Sequence, residues 1–466
     1  MMNNRPIMTP YPEYKATNLP WLPQIPAHWD IVPFAAYAKE KSITNQSDLE
    51  LLSVYLDRGV IRFSQEAAKR TNVTSEDLSK YQRVDVGDLV LNNQQAWRGS
   101  VGVSSFTGIV SPAYIVLKLS DRLYSKFANY LFRDNLMVAH YVTASKGIGS
   151  IQRNLYWVNL KRKNLFLPPI DEQEQIVRYL DSMTAKINKL IRAKKKQIAL
   201  LQEQKQAIIN QAVTKGLNPD AEMKDSGIDW LGQIPAHWEV KTMSKISSIV
   251  RGASPRPAGD PRYFQGRDIP WITVAEITKD ENKYLYETSS FLTYAGQLHS
   301  RTIFSDTLVL SNSGATLGVP KITKITGCIN DGSVAFLAPK AHIEYLYYAL
   351  KSQTTRLRNL VAGYGQPNLN TTIVKNIHIA LPATEEQKEI ADYLDCFCLQ
   401  SNDLIHKVKK EIESILEYKN SLIASVVTGQ VDVRNIPVEK FDPADLAPET
   451  DDDPAEEESS KESEVE

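Results

Sequence analysis

The sequence predicts an α+β fold in which two globular bodies are held apart by a pair of long antiparallel helices, a coiled coil, with a pseudo-twofold internal repeat. Three observations predict it. Residues 21–29 read Trp-Leu-Pro-Gln-Ile-Pro-Ala-His-Trp and residues 230–238 read Trp-Leu-Gly-Gln-Ile-Pro-Ala-His-Trp, identical at eight of nine positions on an offset of 209. Residues 167–181, LPPIDEQEQIVRYLD, meet residues 381–395, LPATEEQKEIADYLD, on an offset of 214. Each second motif opens a long stretch without Pro or Gly whose apolar residues fall three and four apart. The order anchor, body, helix therefore occurs twice, which means one structural unit used twice, with a partner expected to have two similar halves. The bodies hardly match, apart from fragments such as Leu89-Val90-Leu91 with Leu308-Val309-Leu310. One scaffold presents two different recognition surfaces.

The elements follow in order. Residues 1–20 are irregular, with Pro6, Pro10, Pro12 and Pro20. The first body, within residues 21–165, holds β-rich fragments at Asp88–Leu91 and Ala113–Leu117. It also holds one amphipathic stretch, Tyr124 to His140, striped by Phe127, Tyr130, Leu131 and Met137. The first long helix belongs to residues 166–216. Pro168-Pro169 block any earlier start, Asp171 and Glu172 suit its positive end, and Gly216 and Pro219 end it. Its stripe runs Ile176, Leu180, Met183, Ile187, Leu190, then shifts by one and resumes at Ile198, Leu201, Ile208 and Ala212, a stutter. Residues 217–380 hold a linker, the repeated anchor and the second body. Residues 381–430 hold the second helix, striped by Ile390, Leu394, Phe397, Leu404, Val408, Ile412, Ile415, Leu422 and Val426. A narrow apolar stripe on each of two such helices is best buried by pairing them, antiparallel if each leads away from its own body. Residues 431–466 read as an acidic, disordered tail.

Composition excludes several classes. No run of eighteen apolar residues is present, so no membrane span is expected. The N-terminus has no apolar signal core, and three cysteines make no disulfide framework; a cytoplasmic location fits both. Cys396 and Cys398 lie two apart on a helix, facing different ways and without a histidine at ligand spacing, so no metal site is expected. The whole chain has 54 basic and 55 acidic residues, but residues 442–466 hold twelve Asp/Glu and one Lys. That leaves 53 basic against 43 acidic residues in the body, a net of +10, suited to a polyanion.

The second body opens with Val250-Arg251-Gly252-Ala253-Ser254-Pro255-Arg256-Pro257, continues through Asp260-Pro261-Arg262-Tyr263-Phe264, and reaches Asp268-Ile269-Pro270-Trp271-Ile272-Thr273. It closes on Gly363-Tyr364-Gly365-Gln366-Pro367-Asn368-Leu369-Asn370 and the second helix motif. This ordered set, over about residues 20–430, resembles the specificity (S) subunit of type I restriction-modification systems. The resemblance implies two target-recognition domains, each reading one part of a split, asymmetric DNA site, with the paired helices setting the spacer. It implies a non-catalytic chain that binds double-stranded DNA and docks two methyltransferase (M) subunits carrying S-adenosylmethionine. Where the system cleaves, two motor-nuclease (R) subunits add ATP and Mg²⁺ chemistry. The chain itself would hold no cofactor. The first body lacks the second's signatures, and the acidic tail lies outside the family pattern.

Motifs for catalysis are missing. Asn218-Pro219-Asp220 lacks the second Pro and the aromatic of an adenine-methyltransferase loop. Gly314–Gly318 is followed by no GK[ST]. Pro219–Lys224 sets its acid too close to its Glu-x-Lys for a nuclease. His28 and His237 sit in the repeated anchor without a nearby carboxylate in sequence, and a fold role is expected for both.

Sequence reading of DNA needs side chains that match base edges: Asn or Gln for adenine, Arg for guanine, with Lys and Arg on phosphates. In the first body the candidates are Asn92, Asn93, Gln94, Gln95 and Arg98, on a loop after a strand, with Lys146 and Arg153 on a second polar loop. In the second they are Arg251, Arg256, Arg262, Arg267 and Lys279, then Asn312 and Ser313 after a strand, and Gln366 and Asn368. The rival readings are a coiled-coil scaffold whose heads bind only proteins, and an enzyme whose motif is not apparent.

Overall fold

The structure, a computed structural model, describes residues 9–56, 58–63, 77–148, 152–314, 316–360 and 368–446. It divides into two compact units. The first takes residues up to Lys195 together with residues from Lys410 on, and the second takes Lys196–Lys409. The two long helices run Ile170–Lys215 and Thr384–Val427, 46 and 44 residues. At about 1.5 Å per residue each is nearly 70 Å long. Each unit therefore owns the start of one long helix and the end of the other.

In the first unit the helices pair antiparallel. Lys419 Nζ donates to Asn188 Oδ1 at 2.9 Å, and Lys194 meets Glu411 at 2.6 Å. Ile176, Leu180, Ile187 and Ile191 share a core with Leu422, Val426 and Val427. In the second unit Lys205 Nζ donates to Asn402 Oδ1 at 3.0 Å, while Gly216 lies beside Glu386. There Ile209, Ala212 and Val213 pack with Ile390 and Leu394. The expected stripe holds with one correction, repeated in both copies. Leu190 and Leu404 are exposed, and Ile191 and Ile405 take the buried seats. The one-residue shift comes at the same register, 214 apart, so the stutter is part of the repeat.

The head of the first unit is built on an antiparallel sheet of β1 (Ala38–Glu40), β2 (Leu89–Asn92), β3 (Val101–Val103) and β4 (Tyr114–Leu119), in the order β1-β4-β2-β3. The single amphipathic stretch expected from Tyr124 to His140 is two helices, α1 (Ser125–Arg133) and Asn135–Ala144. Asp134 breaks it, because its extended backbone lets its side chain accept from the Leu136 N–H and cap the second helix. A hairpin follows, β5 (Ser145–Ile148) with β6 (Gln152–Leu155). The second head has a five-stranded sheet of β7 (Ser248–Arg251), β8 (Tyr284–Leu285), β9 (Thr307–Ser311), β10 (Pro320–Thr323) and β11 (Ser333–Leu337), in the order β7-β11-β9-β10-β8. One helix of this head, α2 (Ile343–Lys351), packs on β10.

The repeated motifs lock each head to its helix start. Glu172 is buried and accepts from Trp29 Nε1 at 2.9 Å and Tyr11 Oη at 2.7 Å, and it meets His28 Nε2 at 2.7 Å. Glu386, its repeat partner, accepts from Trp238 Nε1 at 3.0 Å and meets His237 Nε2 at 2.9 Å. The two histidines thus serve the fold, through carboxylates about 145 residues away that sequence proximity hides. Gln173 Oε1 accepts from the Tyr124 N–H at 2.9 Å, and Gln387 Oε1 from the His342 N–H at 2.8 Å, so each glutamine caps a head helix. Asp181 and Asp395 accept from the phenols of Tyr130 and Tyr348 at 2.8 and 2.5 Å. Helix ends close the same joints. Gly216 and Gly429 both adopt positive φ, and a Cβ on either would press on the anchor tryptophan of its unit.

Residues 431–446 depart from the expected tail. They lie along the first long helix, where Gln175 Nε2 donates to Val433 O and Ile436 O, both at 3.0 Å, and Ser182 Oγ to Glu439 O at 3.1 Å. Lys186 pairs with Glu439 at 2.8 Å, and Arg192 with Asp445. Val431 and Val433 enter the core of the first unit. The apolar residues and carbonyls of this stretch find partners, which a reading of charge alone overlooks. The rest of the expected tail lies outside the described residues.

Candidate nucleic-acid interface

In the first head the polar loop leaves the end of β2. The Asn93 N–H donates to Ala113 O at 3.3 Å, and its carbonyl accepts from the Leu155 N–H at 2.8 Å. This second bond ties the loop to the end of β6. Within the loop, Asn92 Oδ1 accepts from the Gln94 N–H, and the Gln94 carbonyl accepts from Trp97 Nε1 at 2.9 Å. A 3₁₀ turn, Ala96–Arg98, then ends on Gly99 at φ 102°, a left-handed position that favours glycine. Trp97 becomes a platform: the Arg98 guanidinium lies 4.7 Å from its ring centre and that of Arg153 lies 5.9 Å away. Lys146 stands on β5, exposed, opposite Asn154. The two loops predicted separately from sequence are thus one cluster, and Trp97 is the member that sequence reasoning missed. Its signal was an aromatic inside a polar loop.

In the second head the cluster forms at the end of the sheet where β7 and β9 finish and β11 begins. Arg251 Nε donates to the Asp331 carbonyl at 2.7 Å, Ser254 Oγ to Asp331 Oδ1 at 2.6 Å, and an Arg256 Nη to Asp331 Oδ2 at 3.1 Å. One residue on, Gly332 O accepts from the Asn312 N–H at 2.8 Å. The Asn312 carbonyl accepts from the Leu369 N–H at 2.7 Å, and Ser313 bridges to Asn368. Asp331 gives two arginines and a serine a common fixed point, which lowers the entropy lost when they meet a ligand. It was not predicted, since a single acid on a turn carries no sequence signal.

Residues 37–200 and 235–414 match the family described as Type I restriction modification DNA specificity domain. The chain belongs to the type I restriction-modification DNA specificity family. It is 27% identical over 440 residues to the MjaVIII specificity subunit of Methanocaldococcus jannaschii, covering 89% of this chain and 95% of that one. The MjaIX specificity subunit of the same organism is 32% identical over 203 residues, covering 42% of this chain and 44% of its own. The fold is similar, with a TM-score of 0.63 at 15% identity, to a solved chain described under complex assembly and conformational transition of the type I R-M system. That match covers 87% of this chain and 99% of the other.

Arg262, Arg267 and Lys279, also predicted positions of this specificity subunit, take no part in the contacts that build the two clusters. Arg262 is exposed, holds Asp260 on its own turn with a 2.6 Å contact, and covers Tyr263. The hydrogen bond from Arg262 keeps the Asp260 carboxyl below its usual range. Arg267 is exposed on the turn before the strand Ile269–Ile272. Lys279 sits on the buried Glu276 at 3.4 Å, a pairing that sequence clustering of arginines and lysines cannot distinguish from a ligand site. Gln366 lies outside the described residues. Among the described residues no His/Cys/Asp/Glu group is arranged to hold a metal ion, and no helix is long and apolar enough to cross a membrane.

Proposed function

We propose that the two heads grip one DNA duplex at two places, each reading a different half of a split and asymmetric site. The paired helices set the spacer. Two methyltransferase subunits would dock on this frame and supply S-adenosylmethionine, and two motor-nuclease subunits would add ATP- and Mg²⁺-dependent cleavage. The observation that carries this reading is the contrast within the repeat. The Trp–Glu, His–Glu, Gln and Tyr–Asp contacts that join head to helix recur in both units, while the clusters at the sheet ends differ: a Trp97 platform with Arg98, Arg153 and Lys146 in one, an Asp331-centred pair of arginines in the other. Like joints under unlike clusters fit a pseudo-symmetric partner and an asymmetric sequence.

A gel shift of the complex with its partner methyltransferase, run across salt concentrations, tests the DNA role. Phosphate contacts from the basic clusters predict an affinity that falls linearly on a log–log plot, with a slope of about −0.9 for each phosphate neutralised. Binding that ignores salt, or the lack of any shift, would refute the proposal.

A further inference from the structure

The heads share little sequence, yet one residue stands in the same place in each. Asn93 follows β2 and Asn312 follows β9, both of them inner strands of their sheets. In each, the N–H donates to the residue just before the next inner strand, Ala113 or Gly332. In each, the carbonyl accepts from a leucine N–H, Leu155 or Leu369, and these leucines are repeat partners on the 214 offset. The main chain of both asparagines is therefore fully used.

The side chains are what remains. Oδ1 of Asn93, and both Oδ1 and Nδ2 of Asn312, are buried without a hydrogen-bond partner. Asn312 is wholly buried, whereas Asn93 is half-buried. An unpartnered buried polar group costs about 1–3 kcal/mol, so folded proteins keep few of them without a use. A trapped water explains one such site readily. Equivalent sites in two otherwise dissimilar bodies point to a shared ligand group.

An amide offers an acceptor beside a donor. The base edge that answers it is the major-groove edge of adenine, with N6–H₂ as donor and N7 as acceptor; guanine shows two acceptors there, cytosine a donor. We infer that Asn93 and Asn312 are the adenine-reading residues, one for each half-site, an inference that rests on the DNA-reading role proposed above. Around them the heads diverge. Arg98 and Arg153 lie over Trp97, on the loop that follows Asn93, while Arg251 and Arg256 reach Asp331, next to the Gly332 whose carbonyl meets the Asn312 N–H. The half-sites then share an adenine and differ in the bases around it. The Asn312 amide and the Asn93 Oδ1 both have to be uncovered as the duplex seats.

The test takes the full chain with its partner methyltransferase and selects from duplexes randomised across both half-sites. With Asn312→Ala, selection at one position of one half-site is expected to relax by about ten-fold, the cost of one lost bidentate contact. The other half-site keeps its preference. Asn93→Ala is expected to relax one position in the opposite half-site, and Asn93, less buried than Asn312, decides the question even where the Asn312 substitution lowers stability. Variants that keep the wild-type preference at every position, or that bind all sequences more weakly by one common factor, overturn the assignment and leave a structural water site. A wild-type complex that selects no sequence overturns the DNA-reading role itself.

Discussion

The anchor phrase is repeated because of one acceptor in each unit. Trp29 and Trp238 are both fully buried, and an indole N–H in that position needs a partner. Glu172 and Glu386 provide it, from the first turn of each long helix, where a carboxylate is also favoured by the helix end. In the first unit Tyr11 adds a third donor, and burial beside Glu172 raises its phenol pKa. Glu172→Ala strands the Tyr11 hydroxyl and the Trp29 indole together and is expected to cost about 3 kcal/mol. Glu172→Gln, which still offers an acceptor, is expected to cost less. Urea unfolding followed by tryptophan fluorescence checks the order, and an alanine variant within about 0.5 kcal/mol of wild type would contradict it. The sequence displayed both ends of this contact as repeats and gave no sign that they touch. Repetition marks a position as used twice; only packing shows what it is used for. The same holds for Asn93 and Asn312, each legible as a polar residue after a strand but equivalent only through their main-chain partners.

At the scale of elements, the long helices were the most legible part, since a three–four spacing over some forty residues has no other reading. The seam could not be placed exactly. Leu190 and Leu404 lost their seats to Ile191 and Ile405, because an apolar pair at adjacent positions leaves the choice to the partner helix. The break at Asp134 was missed for a similar reason: the apolar stripe continues through it, and only its extended backbone turns it into a cap. The antiparallel seam gives a length prediction. Inserting seven residues near residue 190, together with seven in the facing part of the second helix, adds about 10 Å of coil. On the proposed reading this lengthens the tolerated spacer by about three base pairs, at 3.4 Å per base pair. Spacer selection from a duplex library measures it, and an unchanged spacer would contradict the role given to the helices.

At the scale of the molecule, the internal repeat made the two-unit organisation legible, and charge made a polyanion the natural partner. What stayed hidden was how the repeat is shared out. Each compact unit closes with the far end of the other half's helix, so a boundary drawn along the sequence divides residues that pack together. The segment 431–446 was misjudged on the same scale: it was grouped with the acidic residues that follow it, but its Val431, Val433, Ile436 and Val438 pack in the first unit and its seat is on the first long helix. On the proposed reading, the clusters at the two sheet ends carry the two half-site preferences. They are built from different residues on equivalent frames, and they should be separable. The most direct measurement maps methylated adenines in cells that express the chain with its partner methyltransferase, before and after residues 33–165 are exchanged for those of another family member. The account predicts that one half-site changes while the other half-site and the spacer stay as they were. A change in both half-sites, or none in either, would contradict it.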